Sequence, residues 1–265
     1  MAQVTKLAEF YAHQEKVNCV TFGRESPQLY ASGADDHRIH VWRLGTQAPI
    51  QTLIGHQTSV DSVRFSRDDH YIAAGSRGGS LKVWDLAAQR LKSTMAGHRA
   101  SIRALDFHPF GELFISGSLD TYVKAFDMRK KSCIQTFKAH TGAITAVRHS
   151  PDGRWVASAD EVGAVKVWDI TAGKLMQEFK SFRREPVRAL EFHPNEYILA
   201  CGDGEKAVNF WDLETFDLIA TTTRETAISS ITFDEEGEVL LAGCNDALRT
   251  YTWDPNVVKH DSVEV

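Results

Sequence analysis

The chain has 265 residues, 43% of them apolar and 25% charged, which is ordinary for a globular protein and leaves room for a sizeable core. A formal net charge of -5 argues against a generic binder of nucleic acid or anionic membranes, so a polyanionic partner has to be met by a local basic patch. No apolar run approaches the roughly 18 residues of a membrane span. Residues 1–10 lack the apolar segment of a secretory signal, and Cys19, Cys133, Cys201 and Cys244 form no C-x-x-C pair, so a cytoplasmic protein with reduced thiols is expected.

Short runs of alternating apolar and polar residues, separated by turn residues, predict strands throughout. In chain order, small-residue and histidine pairs open successive units at Ala12-His13, Gly55-His56, Gly97-His98 and Ala139-His140. An aromatic residue closes each unit, at Trp42, Trp84, Phe126, Trp168, Trp211 and Tyr251, with spacings of 42, 42, 42, 43 and 40. Turns rich in Pro, Asp, Gly or Asn, such as His108-Pro109-Phe110-Gly111 and Ser150-Pro151-Asp152-Gly153, join the first two strands of each unit into hairpins. Outer strands are predicted at 50–54, 91–95, 133–137, 175–179, 218–222 and 260–265. A lone four-stranded sheet cannot bury both faces, so repetition calls for radial stacking. The six-fold pattern resembles the WD40 family over nearly the whole chain. One all-β propeller domain over 1–265 is expected, with repeats near 13–54, 56–95, 98–137, 140–179, 182–222 and 224–265, either six-bladed or an incompletely closed seven-bladed ring. Residues 7–11 are expected to be the outer strand of the last blade.

His13, Ser32 and Asp36 formally make a Ser-His-Asp set, but a catalytic triad occurs once per site, whereas this set is attempted in repeat after repeat. The WD40 resemblance implies a structural role instead, a buried hydrogen-bond network of His, Ser, turn Asp and closing Trp. His13, Ser32, Asp36 and Trp42 supply all four members in the first repeat. The second has Ala74 and Gly78 for the Ser and Asp. The third has His98, Ser116 and Asp120 with Phe126, and the fourth has His140, Ser158 and Trp168 with Val162 at the Asp position. The fifth has Phe182, Cys201 and Glu205, and the sixth Arg224, Ala242 and Tyr251. Only the first repeat is therefore expected to hold a complete network.

Ser76-Arg77-Gly78-Gly79-Ser80 precedes no helix and reads as a turn, not a phosphate cradle, and no histidine pair has metal-ligand spacing. Neither cofactor nor metal nor catalytic residue is expected. Alignment of the repeats places Asn18, Asp61, Arg103, Thr145, Arg188 and Ser229 in one ring near the top opening, with Arg99, Arg183 and Arg184 in adjacent loops. Arg99, Arg103, Arg183, Arg184 and Arg188 are thus the candidate partner-binding residues, suited to an acidic protein surface. The competing reading is a solvated face neutralised by Asp160, Glu161, Asp203 and Glu205.

Longer strings are more specific: residues 104–112, Phe192-His193-Pro194-Asn195-Glu196-Tyr197, and Tyr251-Thr252-Trp253-Asp254-Pro255 resemble the WD40 domain of the regulatory, non-catalytic katanin subunits. That resemblance implies protein partners, microtubules or tubulin, and targeting of microtubule severing at centrosomes and spindle poles. In that family a seventh blade and a helical region binding the AAA ATPase catalytic subunit follow, so this chain reads as C-terminally truncated and ATPase binding by that route is not expected. A different class, a substrate receptor of a cullin-based ubiquitin ligase, is suggested by Phe126-Asp127-Met128-Arg129, which approximates W-D-x-R.

Overall fold

A computed structural model of the chain describes residues 9–179, 185–204, 207–222, 227–245 and 248–253. The described residues contain strands and no helix. Blade one comprises β1 (Val17–Phe22), β2 (Leu29–Ala34), β3 (Ile39–Arg43) and β4 (Gln51–Leu53), and blade two comprises β5 (Val60–Phe65), β6 (Tyr71–Ser76), β7 (Leu81–Asp85) and β8 (Arg90–Met95). Blade three follows with β9 (Ile102–Phe107), β10 (Leu113–Ser118), β11 (Val123–Asp127) and β12 (Ser132–Phe137), and blade four with β13 (Ile144–His149), β14 (Trp155–Asp160), β15 (Val165–Asp169) and β16 (Lys174–Phe179). Blade five has β17 (Val187–Phe192), β18 (Ile198–Asp203), β19 (Val208–Asp212) and β20 (Leu218–Thr221), and blade six has β21 (Ile228–Phe233), β22 (Val239–Cys244) and β23 (Leu248–Thr252).

Each blade is an antiparallel meander in chain order. The predicted outer strands of the first five repeats are β4, β8, β12, β16 and β20. The predicted sixth, 260–265, lies outside the described residues. So do Leu7 and Ala8 of the expected 7–11 strand, whose described part, residues 9–11, has no strand assignment.

The blades pack because both faces of each sheet carry apolar residues. Cores lie between blades one and two, two and three, three and four, four and five, and five and six. Inner strands follow the same order, β1 beside β5 and so on round to β17 beside β21, whereas β21 and β1 have no comparable contact. Among the described residues, the array of six blades is thus open between blade six and blade one. On the lower face, loops are stapled to the next blade. Asp69 accepts the backbone N–H groups of Arg24, Glu25 and Ser26 at 2.8, 3.1 and 2.7 Å. His108 Nε2 contacts the Gly153 carbonyl at 3.1 Å, and His193 Nε2 the Gly237 carbonyl at 3.0 Å. These glycines adopt φ of 72° and 83°, and a Cβ on either would come within 2.5 or 2.3 Å of the histidine ring.

Candidate functional site: the polar networks and the central channel

The histidines that open blades one, three and four are pinned between a serine on the second strand and an aspartate. In blade one, Trp42 Nε1 donates to Ser32 Oγ at 2.9 Å, Ser32 Oγ lies 2.8 Å from His13 Nε2, and His13 Nδ1 lies 2.9 Å from Asp36 Oδ2. An indole can only donate, so the serine hydroxyl hydrogen is free for Nε2, and Nδ1 carries the proton given to the carboxylate. Burial alone would raise the Asp36 carboxyl. Donation from His13 and from the Arg38 backbone N–H outweighs it and holds the group below the usual carboxylate value. Blade three repeats the arrangement through His98, Ser116 and Asp120 at 2.7 and 2.9 Å, with Phe126 in place of the indole.

Blade four departs from the sequence expectation. Its network is complete: Trp168 Nε1 donates to Ser158 Oγ at 2.8 Å, Ser158 Oγ meets His140 Nε2 at 2.7 Å, and His140 Nδ1 meets Asp160 Oδ2 at 2.8 Å. The carboxylate comes from the end of β14, two residues before Val162, and its other oxygen accepts the N–H groups of Val162 and Ala164 at 3.1 and 2.8 Å. An acid two residues after the serine therefore reaches the same ring nitrogen as one four residues after it. Blade two is the opposite case. His56 Nδ1 meets Ser80 Oγ at 3.2 Å, and among the described residues Nε2 has no hydrogen-bond partner, because Ala74 stands where blades one, three and four have serine. Burial, followed by the nearby Lys82 ammonium, pushes His56 down to about 4.

His13, Asp36 and His40 bring one ligand atom each within 4.8 Å of one another, a grouping that sequence spacing does not reveal. Both nitrogens of His13 are already bonded, and His40 Nδ1 is bonded to Thr52 Oγ1 at 2.9 Å. His13 and Asp36 belong to the blade-one hydrogen-bond network, while His40 packs beside His13 at 4.4 Å between ring centroids and bonds to Thr52.

The six predicted ring residues line one central cavity of about 340 Å³. The cause is local: every inner strand changes register at its second residue, so Asn18, Asp61, Arg103, Thr145, Arg188 and Ser229 are each a β-bulge. A bulge re-aims its side chain out of the sheet alternation, here toward the channel mouth. The next residue of each strand is small (Cys19, Ser62, Ala104, Ala146, Ala189, Ser230), which keeps the bore open. Charge is unevenly paired around the mouth. Arg77 pairs with Asp35 and Asp61 at 3.2 and 3.3 Å, and Ser101 donates to Asp61 at 2.6 Å. Arg103 and Arg188 are exposed, and among the described residues neither has a carboxylate partner. Arg99 is exposed on the adjoining loop, its backbone N–H held by Asp120 at 3.0 Å. Asp160, expected from sequence to neutralise this face, is fully buried in its network, and Glu161 caps the Ala143 N–H at 3.3 Å. Arg183, Arg184, Phe182, Glu205 and Arg224 lie outside the described residues.

At the lower end, Arg64 and Arg148 line the same cavity. Arg148 pairs with Glu191 at 2.9 Å, and Arg24 pairs with buried Asp106, which also accepts the His149 N–H at 2.8 Å. Burial, then repulsion from Arg148, pushes Arg64 down to about 10. Cys19, also on the bore, is pushed up to about 12 by burial, which makes it a poor nucleophile. Arg129 of the W-D-x-R-like string is exposed on the turn after β11 and paired with Glu112 at 3.2 Å.

The family model described as WD domain, G-beta repeat matches residues 4–43, 47–85, 89–127, 131–169 and 173–212. Over 74 residues, 28% of this chain and 9% of the relative, the sequence is 44% identical to an Arabidopsis thaliana homolog of the WD40 repeat-containing katanin p80 B1 subunit. Over 67 residues, 25% of this chain and 10% of the relative, it is 47% identical to the WD40 repeat-containing katanin p80 B1 subunit of Xenopus tropicalis. A 56-residue stretch, 20% of this chain and 6% of the relative, is 45% identical to the beta'-2 subunit of coatomer from Arabidopsis thaliana. The matched stretches span about a tenth or less of each relative's length. With repeat spacing, blade meanders and His-Ser-Asp-Trp networks in agreement with the family match, the chain belongs to the WD40-repeat family, and part of it is similar to WD40 repeat-containing katanin p80 B1 subunits.

Proposed function

We propose that the chain is a non-catalytic targeting module of the katanin regulatory type, which brings severing activity to microtubules by meeting an acidic protein surface with the arginines of its upper channel mouth. The similarity to katanin p80 subunits, 44% and 47% over 74 and 67 residues, carries this reading. The geometry supports it, because Arg103 and Arg188 are exposed and have no carboxylate partner among the described residues, with Arg99 beside them. Guanidiniums without an internal partner recognise carboxylates bidentately and steer encounter through their field. The hydrogen-bonded His-Ser-Asp sets serve stability in this reading, and the module works in the cytoplasm at centrosomes and spindle poles. Arg183 and Arg184 extend the same basic surface in sequence.

Co-sedimentation with taxol-stabilised microtubules tests it. The parent chain is expected to pellet at low salt and to be released as salt rises, because exposed charges are screened within about 10 Å at 0.1 M. The double variant Arg103→Glu with Arg188→Glu is expected to stay in the supernatant with unchanged thermal stability. Failure of the parent to pellet at low salt would remove direct microtubule contact from the proposal.

A further inference from the structure

The residue three positions after each bulge holds one register in all six inner strands: Thr21, Arg64, Asp106, Arg148, Glu191 and Thr232. The first five of these line a lower cavity of about 290 Å³. Arg64 and Arg148 also line the central cavity above it, so their side chains form the boundary between the two. Arg24 reaches the lower cavity from the loop after β1. Its walls therefore carry the guanidiniums of Arg24, Arg64 and Arg148 against the carboxylates of Asp106 and Glu191, which leaves one positive charge uncompensated.

That charge falls on Arg64. Asp106 stands on β9, between the strands of Arg64 and Arg148, but both of its oxygens are engaged: Oδ1 accepts from Arg24, and Oδ2 accepts the His149 backbone N–H at 2.8 Å. Glu191 accepts from Arg148 Nε at 2.9 Å. Arg64 has only a 3.5 Å approach of Nη1 to the Val63 carbonyl, and its Nε and Nη2 have no partner among the described residues. Arg148 Nη2 is likewise without one. Burial opposes the Arg148 charge, but Glu191 and then Asp106 outweigh it and raise that group. Arg64 is instead pushed down to about 10 by burial and then by Arg148, and so remains a cation at neutral pH. On the same wall, the His149 side chain is 1% exposed, with Nδ1 3.5 Å from Asp106 Oδ2 and neither ring nitrogen hydrogen-bonded among the described residues. Buried polar groups left unmatched beside a cavity point to a polar ligand from outside the chain.

We infer that the lower cavity is a binding site for one phosphate-type oxyanion, held by the unbonded N–H groups of Arg64 and Arg148. A guanidinium edge matches two oxygens of such an anion, and the charge-assisted bonds are strong where water is partly excluded. Arg64 belongs to blade two and Arg148 to blade four. A tetrahedral anion offers oxygens in more than one plane and can accept from both, whereas a carboxylate offers a single plane. Bound there, it joins the two blades across the bore. Free phosphate and the phosphoryl end of a phosphomonoester share this chemistry.

Phosphorus NMR titrations of inorganic phosphate and of phosphoserine with the 265-residue chain, at ionic strength matched with sodium chloride, test the site. Saturable binding of inorganic phosphate is expected, with a Kd on the order of 0.1 to 1 mM. Arg64→Gln is expected to weaken it roughly tenfold or more, and Arg64→Lys, which keeps the charge and loses the planar fork, by less. Phosphoserine binding with the same dependence on Arg64 extends the site to phosphomonoesters, and phosphate binding alone assigns it to the free anion. Urea midpoints separate the site from a general salt effect: phosphate excluded from protein surfaces stabilises parent and Arg64→Gln alike, whereas a bound anion stabilises the parent more. In phosphate-free buffer the midpoint of Arg64→Gln is expected to equal or exceed that of the parent, because a half-buried unpaired cation has been removed. Absence of saturable phosphate binding by the folded parent overturns the inference. So does binding that both Arg64 variants retain in full, or binding that an equal concentration of acetate displaces as well as phosphate itself.

Discussion

β1 and β5 carry nearly the same pattern, Val17, Val20 and Phe22 in one and Val60, Val63 and Phe65 in the other, and both pair antiparallel with the next strand through a bulge at the second residue. Blade one covers β5, and no described strand covers β1 comparably. Alternation encodes which face of a strand is apolar; the neighbouring sheet decides whether that face is buried. Fully burying a Val or Phe side chain stabilises by about 1.5 to 3 kcal/mol, so the opening leaves several such contributions unrealised.

The largest expected effect comes from placing one charge at matched positions. Val63→Asp puts a carboxylate into the core between blades one and two and is expected to cost more than about 4 kcal/mol or abolish the cooperative transition, whereas Val20→Asp should stay within about 0.5 kcal/mol. Urea titrations of the two variants read the contrast directly, and comparable losses would erase it.

The same contrast of made and unmade contacts separates blade four from blade two. His140→Ala strands the buried Asp160 carboxylate without its ring donor and is expected to cost about 3 kcal/mol at pH 7. His56→Ala removes a ring with one long hydrogen bond and should cost about 1 to 2 kcal/mol, mainly lost packing against Trp84. Equal losses in the two variants would mean that the polar network adds nothing beyond packing.

Acid sharpens the comparison further. His56 is held down to about 4, against about 6.5 in an unfolded chain. The unfolded state therefore takes up a proton that the folded state refuses, and stability is lost as pH falls from about 6.5 toward 4. Relative to His56→Asn, the parent should lose about 2 to 3 kcal/mol more between pH 7 and pH 4.5. Parallel urea titrations of both proteins at the two pH values check the sign and the size. The smallest effect is expected for Arg103→Glu with Arg188→Glu, within about 0.5 kcal/mol of the parent in stability, because both side chains are exposed and without carboxylate partners among the described residues.

Much of this architecture is legible in the sequence because a 42-residue period fixes strand order, and a strand period of two fixes which residues face the channel. The ring from Asn18 to Ser229 can be placed by alignment alone, although the bulge that turns these side chains into the mouth is a register property that no residue type announces. Asp160 escapes a count of residues from the serine, since the physical requirement is only an oxygen within reach of His140 Nδ1. Its strand-end position beside Val162 is the available signal. The opening is legible only as one of two alternatives, since six repeats leave either a six-bladed or an incompletely closed ring; Val20 and Val63 are the same residue in the same pattern, and the packing of β21 relative to β1 distinguishes them.

Strand-resolved amide exchange on the isolated chain tests the central contrast most directly. The amides of β1, β22 and β23 are expected to exchange through local opening well below the global unfolding free energy, while those of β5, β9 and β13 exchange only through global unfolding. Equal protection of β1 and β5 in a monomer would contradict the account, because it would mean that the face of Val17, Val20 and Phe22 is already covered.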